Sequence, residues 1–206
     1  MKTTDRLAFL VDLLFHPLIM PFYALAGVFR LHPYLHYSLA SEIKNMLLWI
    51  LFITCVVLPA LLTFFLVHKR IIHSLKMKER KERLLPVLIT FLMYLVCYFL
   101  IRLMPVPELI LGIVLSGAAL TLIAFLLTLF WKVSIHMMGI GGLAAIIWIT
   151  GARTLADASP YLGLVLLAAG LTAWARLCSQ THTTGQIYGG FVAGLLTALI
   201  LLETML

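Results

Sequence analysis

Charge is scarce in this sequence. Only 11% of its 206 residues are Asp, Glu, Lys or Arg, while 63% are hydrophobic; soluble domains carry roughly one-quarter charged residues. So little charge cannot cover a water-facing surface, which excludes an ordinary soluble domain. Acid is the scarcer sign, with 8 Asp+Glu against 15 Lys+Arg and a formal net charge of +7. Cysteine is nearly absent too. Cys55, Cys97 and Cys178 share no spacing that suggests a disulfide framework or a zinc site, so they read as small apolar core residues. No metal and no cofactor are expected.

What fills the space is long apolar runs. A membrane-spanning helix needs about 20 largely apolar residues. Runs of that kind lie at Leu7–Phe29, Met46–Val67, Leu84–Leu103, Glu108–Trp131, Ser134–Ile149, Tyr161–Ala175 and Ile187–Leu202, and the mean hydropathy is +1.10. The expected fold is all-α: a polytopic transmembrane helical bundle of about six to seven spans forming one membrane domain over residues 1–206. The first run carries Lys2, Arg6 and an Ala24-Leu25-Ala26 triplet like those of cleaved signal peptides. Asp12, His16, Pro17 and Pro21 interrupt it, however, which favours a retained, kinked helix.

Seven crossings put the N-terminus, the 68–83 loop, the 131–134 turn and the 176–186 loop on one side. Only Arg30, Lys44, Arg102 and Arg153 fall on the other. The positive-inside rule assigns the basic side to the cytoplasm, and the excess survives without Lys76, Arg83 and Arg176. The expected localisation is therefore an integral protein of a bacterial cytoplasmic membrane, with its polar cluster facing the cytoplasm. Trp131 and Trp174 fall near one interface, Trp49 and Trp148 near the other, as aromatic belts do. Charge placed beside spans reads as topology and headgroup contact, so lipids are the expected partners and nucleic acid is not. Glycines at 139, 141, 142, 190 and 194 suggest close helix packing. They say nothing of oligomeric state.

Three polar clusters share the basic side. Residues 76–86, KMKERKERLLP, place Lys76 and Arg83 two helical turns apart on nearly one face, a pair that suits a phosphate dianion; an ordinary basic loop would look the same. Residues 131–136, WKVSIH, put His136 one turn inside a span, where an unpartnered imidazole is costly and function is the default reading. The Ser134 hydroxyl and neighbouring N–H groups suit phosphate oxygens. Residues 176–186, RLCSQTHTTGQ, supply an Arg, a His six residues on and a side-chain acceptor four beyond. That sequence fits a clamp, a nucleophile and its orienting partner, or a polar loop capping the next helix.

In order, Lys-x6-Arg, Ser-x-His and Arg-x5-His resemble the three motifs of the type 2 phosphatidic acid phosphatases, approximately K-x6-R-P, P-S-G-H and S-R-x5-H-x3-D. The resemblance covers roughly residues 76–194. It implies a membrane phosphatase acting without metal on an amphiphilic phosphomonoester or diphosphate: phosphatidate, phosphatidylglycerol phosphate or a polyprenyl diphosphate. By the same resemblance Lys76, Arg83, Arg176 and Ser134 bind the phosphate, His182 is the nucleophile that becomes phosphohistidine, and His136 is the general acid. The sequence departs from the pattern at Leu84-Leu85 before Pro86, Val133, Ile135 and Ala175, and above all at Gln186, which stands where the family has an orienting aspartate. Asp12, on the same side and four residues from His16, is a candidate substitute carboxylate. Gln186 also motivates a rival expectation, a relative that binds or moves phospholipid without hydrolysis. A small transporter using Asp12 and the membrane histidines as a proton path is a third.

Overall fold

The computed structural model describes residues 3–73, 77 and 79–206. Among the described residues, ten α-helices make seven crossings, as expected. The first crossing, Thr4–Leu31, is broken in two: α1 (Thr3–Leu14) and α2 (Met20–Leu31) flank a 3₁₀ turn at Pro17–Ile19. Pro17 cannot donate a backbone hydrogen bond. His16 manages the break with its own side chain, Nδ1 accepting from Leu18 N at 3.3 Å. A short α3 (Pro33–Ser38), which apolar periodicity does not announce, then leads into the second crossing.

That second crossing starts at Ser41, five residues before the apolar run suggested. It comprises α4 (Ser41–Leu51), a π-helical stretch at Phe52–Val57 and α5 (Leu58–His68). The π stretch lies just before Pro59, whose ring crowds the carbonyl four residues back. The Leu58 N–H reaches instead to the Ile53 carbonyl. The remaining crossings are α6 (Leu84–Arg102, entered through a 3₁₀ turn at Lys81–Arg83), α7 (Glu108–Phe130), α8 (Ile135–Thr154), α9 (Ser159–Cys178) and α10 (Thr184–Met205).

α8 is the central post of the bundle, and far more of it is buried than of any other crossing. It packs against α10, α2, α9 and α7. The closest of these seams needs glycine. A Cβ on Gly141 would strike the Phe191 carbonyl, and one on Gly194 the Met138 carbonyl. In lipid, where apolar side chains gain little by leaving the solvent, such backbone proximity supplies the packing contacts that hold helices together. Because the obstacle is backbone, Gly141→Val is expected to destabilise at or beyond the upper end of the roughly 1–3 kcal/mol seen for overpacking. A lowered Tm in detergent checks this; an unchanged Tm contradicts the tight α8–α10 seam.

The outer face is apolar. Phe64, Phe99, Leu166 and Ile200 are all exposed, as a hydrocarbon surround requires. Trp49, Trp131, Trp148 and Trp174 are all exposed on the outer surface of the bundle. The chain is an integral membrane helical bundle.

Candidate functional site

At one end of the bundle, α1, the start of α6, the α7–α8 turn, the end of α9 and the start of α10 converge. Each brings a polar side chain. The α9 end does so by a Schellman turn, with Thr181 N bonded to Arg176 O at 3.2 Å and Gln180 N to Leu177 O at 3.0 Å. Gln180 takes the left-handed conformation at φ 50° that such a turn needs. This reverses the chain so that His182 folds in beneath Arg83. Thr183 then caps α10, its Oγ1 accepting from Gln186 N at 3.4 Å.

Two guanidinium–imidazole pairs form the centre. Arg83 Nη1 lies 3.4 Å from His182 Nε2, while Arg83 Nε donates to Met77 O at 3.1 Å. Arg176 Nη2 lies 3.0 Å from His136 Nε2. Arginine only donates, so both Nε2 atoms present their lone pairs. His182 must then carry its proton on Nδ1, and that proton goes to Gln186 Oε1 at 3.2 Å. The same Oε1 accepts from Thr183 N–H at 3.1 Å. A backbone N–H can meet only the amide oxygen, so Gln186 is fixed in the orientation that His182 needs. His182, 8% exposed, is held neutral: burial, reinforced by the charges of Arg83 and Arg176, lowers its pKa to about 4.

Asp12 belongs to the site, but not where a substitute for the missing aspartate would stand. Its Oδ1 pairs with Arg176 Nη2 at 2.6 Å, and the group that receives the His182 proton is Gln186. The carboxylate therefore orients the clamp and leaves the nucleophile candidate to a neutral amide. His16 stands edge-on to His136 with ring centroids 5.2 Å apart, which joins the broken first crossing to the cluster.

Ser134 sits at the start of α8, its N–H bonded to Gln186 O at 3.2 Å. Its Oγ is fully buried without a protein partner, as is Arg176 Nε. A buried polar group left unpaired costs about 1–3 kcal/mol, and both atoms are donors that an anion's oxygens would satisfy. Lys132 adds a third positive charge, its pKa lowered by partial burial and then by Arg83. The sequence spacing did not single Lys132 out, although it stands two residues before Ser134. Of the sequence-derived set, Arg83, Ser134, His136, Arg176, His182, Gln186 and Asp12 come together. Lys76 lies outside the described residues.

Fold and site thus define a polytopic all-α membrane protein with a buried arginine–histidine cluster at one end of its helical bundle. Comparison of the chain with family models, with curated proteins and with solved structures finds no match.

Proposed function

We propose that this protein is a membrane phosphatase of the type 2 phosphatidic acid phosphatase kind, removing a terminal phosphate from an amphiphilic phosphomonoester or diphosphate. The observation that carries this reading is the doubled pair: each of two imidazoles turns its Nε2 lone pair toward a guanidinium. A phosphate bound between the guanidinium groups takes over their hydrogen bonds and frees both lone pairs beside the phosphorus.

In the reaction, a substrate phosphate that enters as the monoanion gives its proton to the freed His136 Nε2 lone pair; His182 Nε2 then attacks phosphorus, and the bond to the lipid oxygen breaks as His136 returns that proton to the leaving alcohol. Water then attacks the phosphohistidine; its proton passes to His136, the N–P bond breaks and His182 is restored. Arg83, Arg176 and Lys132 stabilise charge on the equatorial oxygens, and Ser134 Oγ adds a donor. The basic loops on the site's side favour a cytoplasmic active face. The test is phosphate release by the purified protein from phosphatidate, phosphatidylglycerol phosphate and polyprenyl diphosphate, with and without chelator. Release that survives chelator and disappears in His136→Ala is expected; no release from any of them contradicts the reading.

Gln186 supports a second reading, phospholipid binding without turnover, because a neutral amide does little to stabilise a positive imidazole. The isosteric Gln186→Glu weighs the two. A carboxylate retains both hydrogen bonds and adds the absent charge, so activity is expected to rise about 10–100-fold, the usual weight of such supporting contacts. The pH profile should move with it. His182 works deprotonated, so the free protein's kcat/KM falls as pH drops through about 4. A neighbouring negative charge favours the imidazolium, carrying that limb upward toward the usual histidine range. A limb that stays in place removes His182 from the role of nucleophile.

A further inference from the structure

The break in the first crossing changes that crossing's neighbour. α1 packs on α9, but beyond the Pro17–Ile19 turn α2 packs chiefly on α8 and α7. It lies close on α8, where a Cβ on Gly27 would strike Ile147. With α2 drawn onto α8, a groove of about 270 Å³ opens between α2 and α9, and α8 supplies its floor from Ile140 to Ile147. Phe15 and Tyr23 line the end nearest the break, their ring centroids 6.5 Å apart. The Tyr23 hydroxyl donates to the Leu14 carbonyl at 3.1 Å, an acceptor that the end of α1 leaves without an intrahelical donor.

The groove's mouth lies at the end of the bundle opposite the arginine–histidine cluster, where α2 ends and α9 begins. Arg30 and Tyr161 line it there. Arg30 is exposed and is the one charged residue of the lining, and among the described residues no carboxylate pairs with it. Two other cations of that end are already engaged: Lys44 Nζ donates to the His36 carbonyl at 2.9 Å, and Arg153 pairs with Glu203 at 3.1 Å. A cation without a counter-ion, at the mouth of an apolar groove, is complementary to a phosphate ester that carries a hydrocarbon tail. A methylene group takes about the volume of a water molecule, roughly 30 Å³, so the groove holds about nine of them. The depth agrees. Tyr23 and Arg30 stand about 10 Å apart along the helix, and nine carbons advancing roughly 1.3 Å each, from C–C bonds of about 1.5 Å, need about the same length.

We propose that this groove holds a phospholipid of net negative charge from the leaflet opposite the cluster, with its phosphate on Arg30 and the upper part of one acyl chain between α2 and α9. Net charge sets the class of lipid. A zwitterionic headgroup brings its own cation, for which the lining offers no acid, whereas a phosphatidylglycerol headgroup brings only the phosphate that Arg30 lacks. The site is distinct from the phosphatase candidate, since none of the cluster's residues lines it, and it stands whatever chemistry the cluster performs. The occupant fills the wedge that the kink opens between α2 and α9, so it also stabilises the folded bundle by binding it.

Photocrosslinking tests the assignment. The full chain is placed in phosphatidylcholine nanodiscs doped with phosphatidylglycerol that carries a diazirine midway along one acyl chain, and adducts are mapped by mass spectrometry. Adducts are expected to concentrate at Tyr23–Gly27 and Leu164–Ala168, and excess unlabelled phosphatidylglycerol should displace them where excess phosphatidylcholine does not. Arg30→Gln, at an exposed position, should lower their yield about five-fold, the usual weight of one basic residue at an anionic membrane surface. Ala26→Trp, also at an exposed position, puts an indole into the groove and should abolish them. Adducts spread evenly over the outer face, at Phe64, Phe99 and Ile200 as much as in the groove, overturn the site as ordinary surrounding lipid. Adducts gathered around Arg83 and Arg176 overturn it by assigning the lipid to the cluster. Equal displacement by phosphatidylcholine, or an unchanged yield in Arg30→Gln, overturns recognition of the headgroup charge.

Discussion

His182→Ala is expected to reduce phosphate release by about 10⁴-fold or more, the scale on which removal of an enzymic nucleophile acts, while leaving phospholipid binding within a few-fold of the parent. The asymmetry follows from the geometry. Arg83 gives one N–H to His182 and another to Met77 O, so loss of the imidazole leaves the guanidinium held from Met77 and releases the donor that a phosphate would use. Gln186 retains its bond from Thr183 N–H and stays in place. Some stability is lost, about 1–3 kcal/mol, because Arg83 is mostly buried and loses a partner. The chemical signature is sharper than the rate. A rapid quench of the parent should trap phosphoprotein that is labile to acid and stable to base; the variant should trap none. Undiminished turnover in the variant, or phosphoprotein at another residue, removes the covalent mechanism.

The crossings were legible in the sequence because hydrocarbon imposes a length and an apolarity that single residues cannot evade. The breaks were legible in part: His16-Pro17 announces a kink, but not that His16 would cap its own break and then lie against His136. α3 escaped because six residues, PYLHYS, carry too little periodicity to register. The site was legible as three spacings on one side, which is enough to name residues but not to say which touches which. Asp12 shows the limit. Its side of the membrane can be inferred from the chain, whereas its choice of Arg176 over His182 depends on how α1 leans on α9, a tertiary matter. Gln186 shows the converse. The missing charge is plain in the sequence, but the Thr183 N–H that fixes the amide's orientation is a property of the α10 cap.

Arg176→Ala is expected to do two kinds of damage that can be separated. Arg176 is the shared partner of Asp12 at 2.6 Å and His136 at 3.0 Å, and its side chain is only 11% exposed. Removing it strands a mostly buried carboxylate, for which the usual penalty is about 3–5 kcal/mol. It also removes a guanidinium from the phosphate, an effect worth about 10³–10⁵ in rate where arginine stabilises phosphoryl transfer. Neutralising the stranded acid distinguishes these. In Asp12→Asn/Arg176→Ala the stability should largely return, because an amide is far cheaper to bury unpaired than a carboxylate, yet the rate should stay low because no cation has been restored. Asp12→Asn alone should cost much less activity than Arg176→Ala, since the guanidinium remains and loses only the partner that aims it. Thermal melts and initial rates on the three variants suffice. If activity returns with stability in the double variant, Arg176 is a structural counter-ion to Asp12, and the phosphate clamp must be built from Arg83 and Lys132 without it.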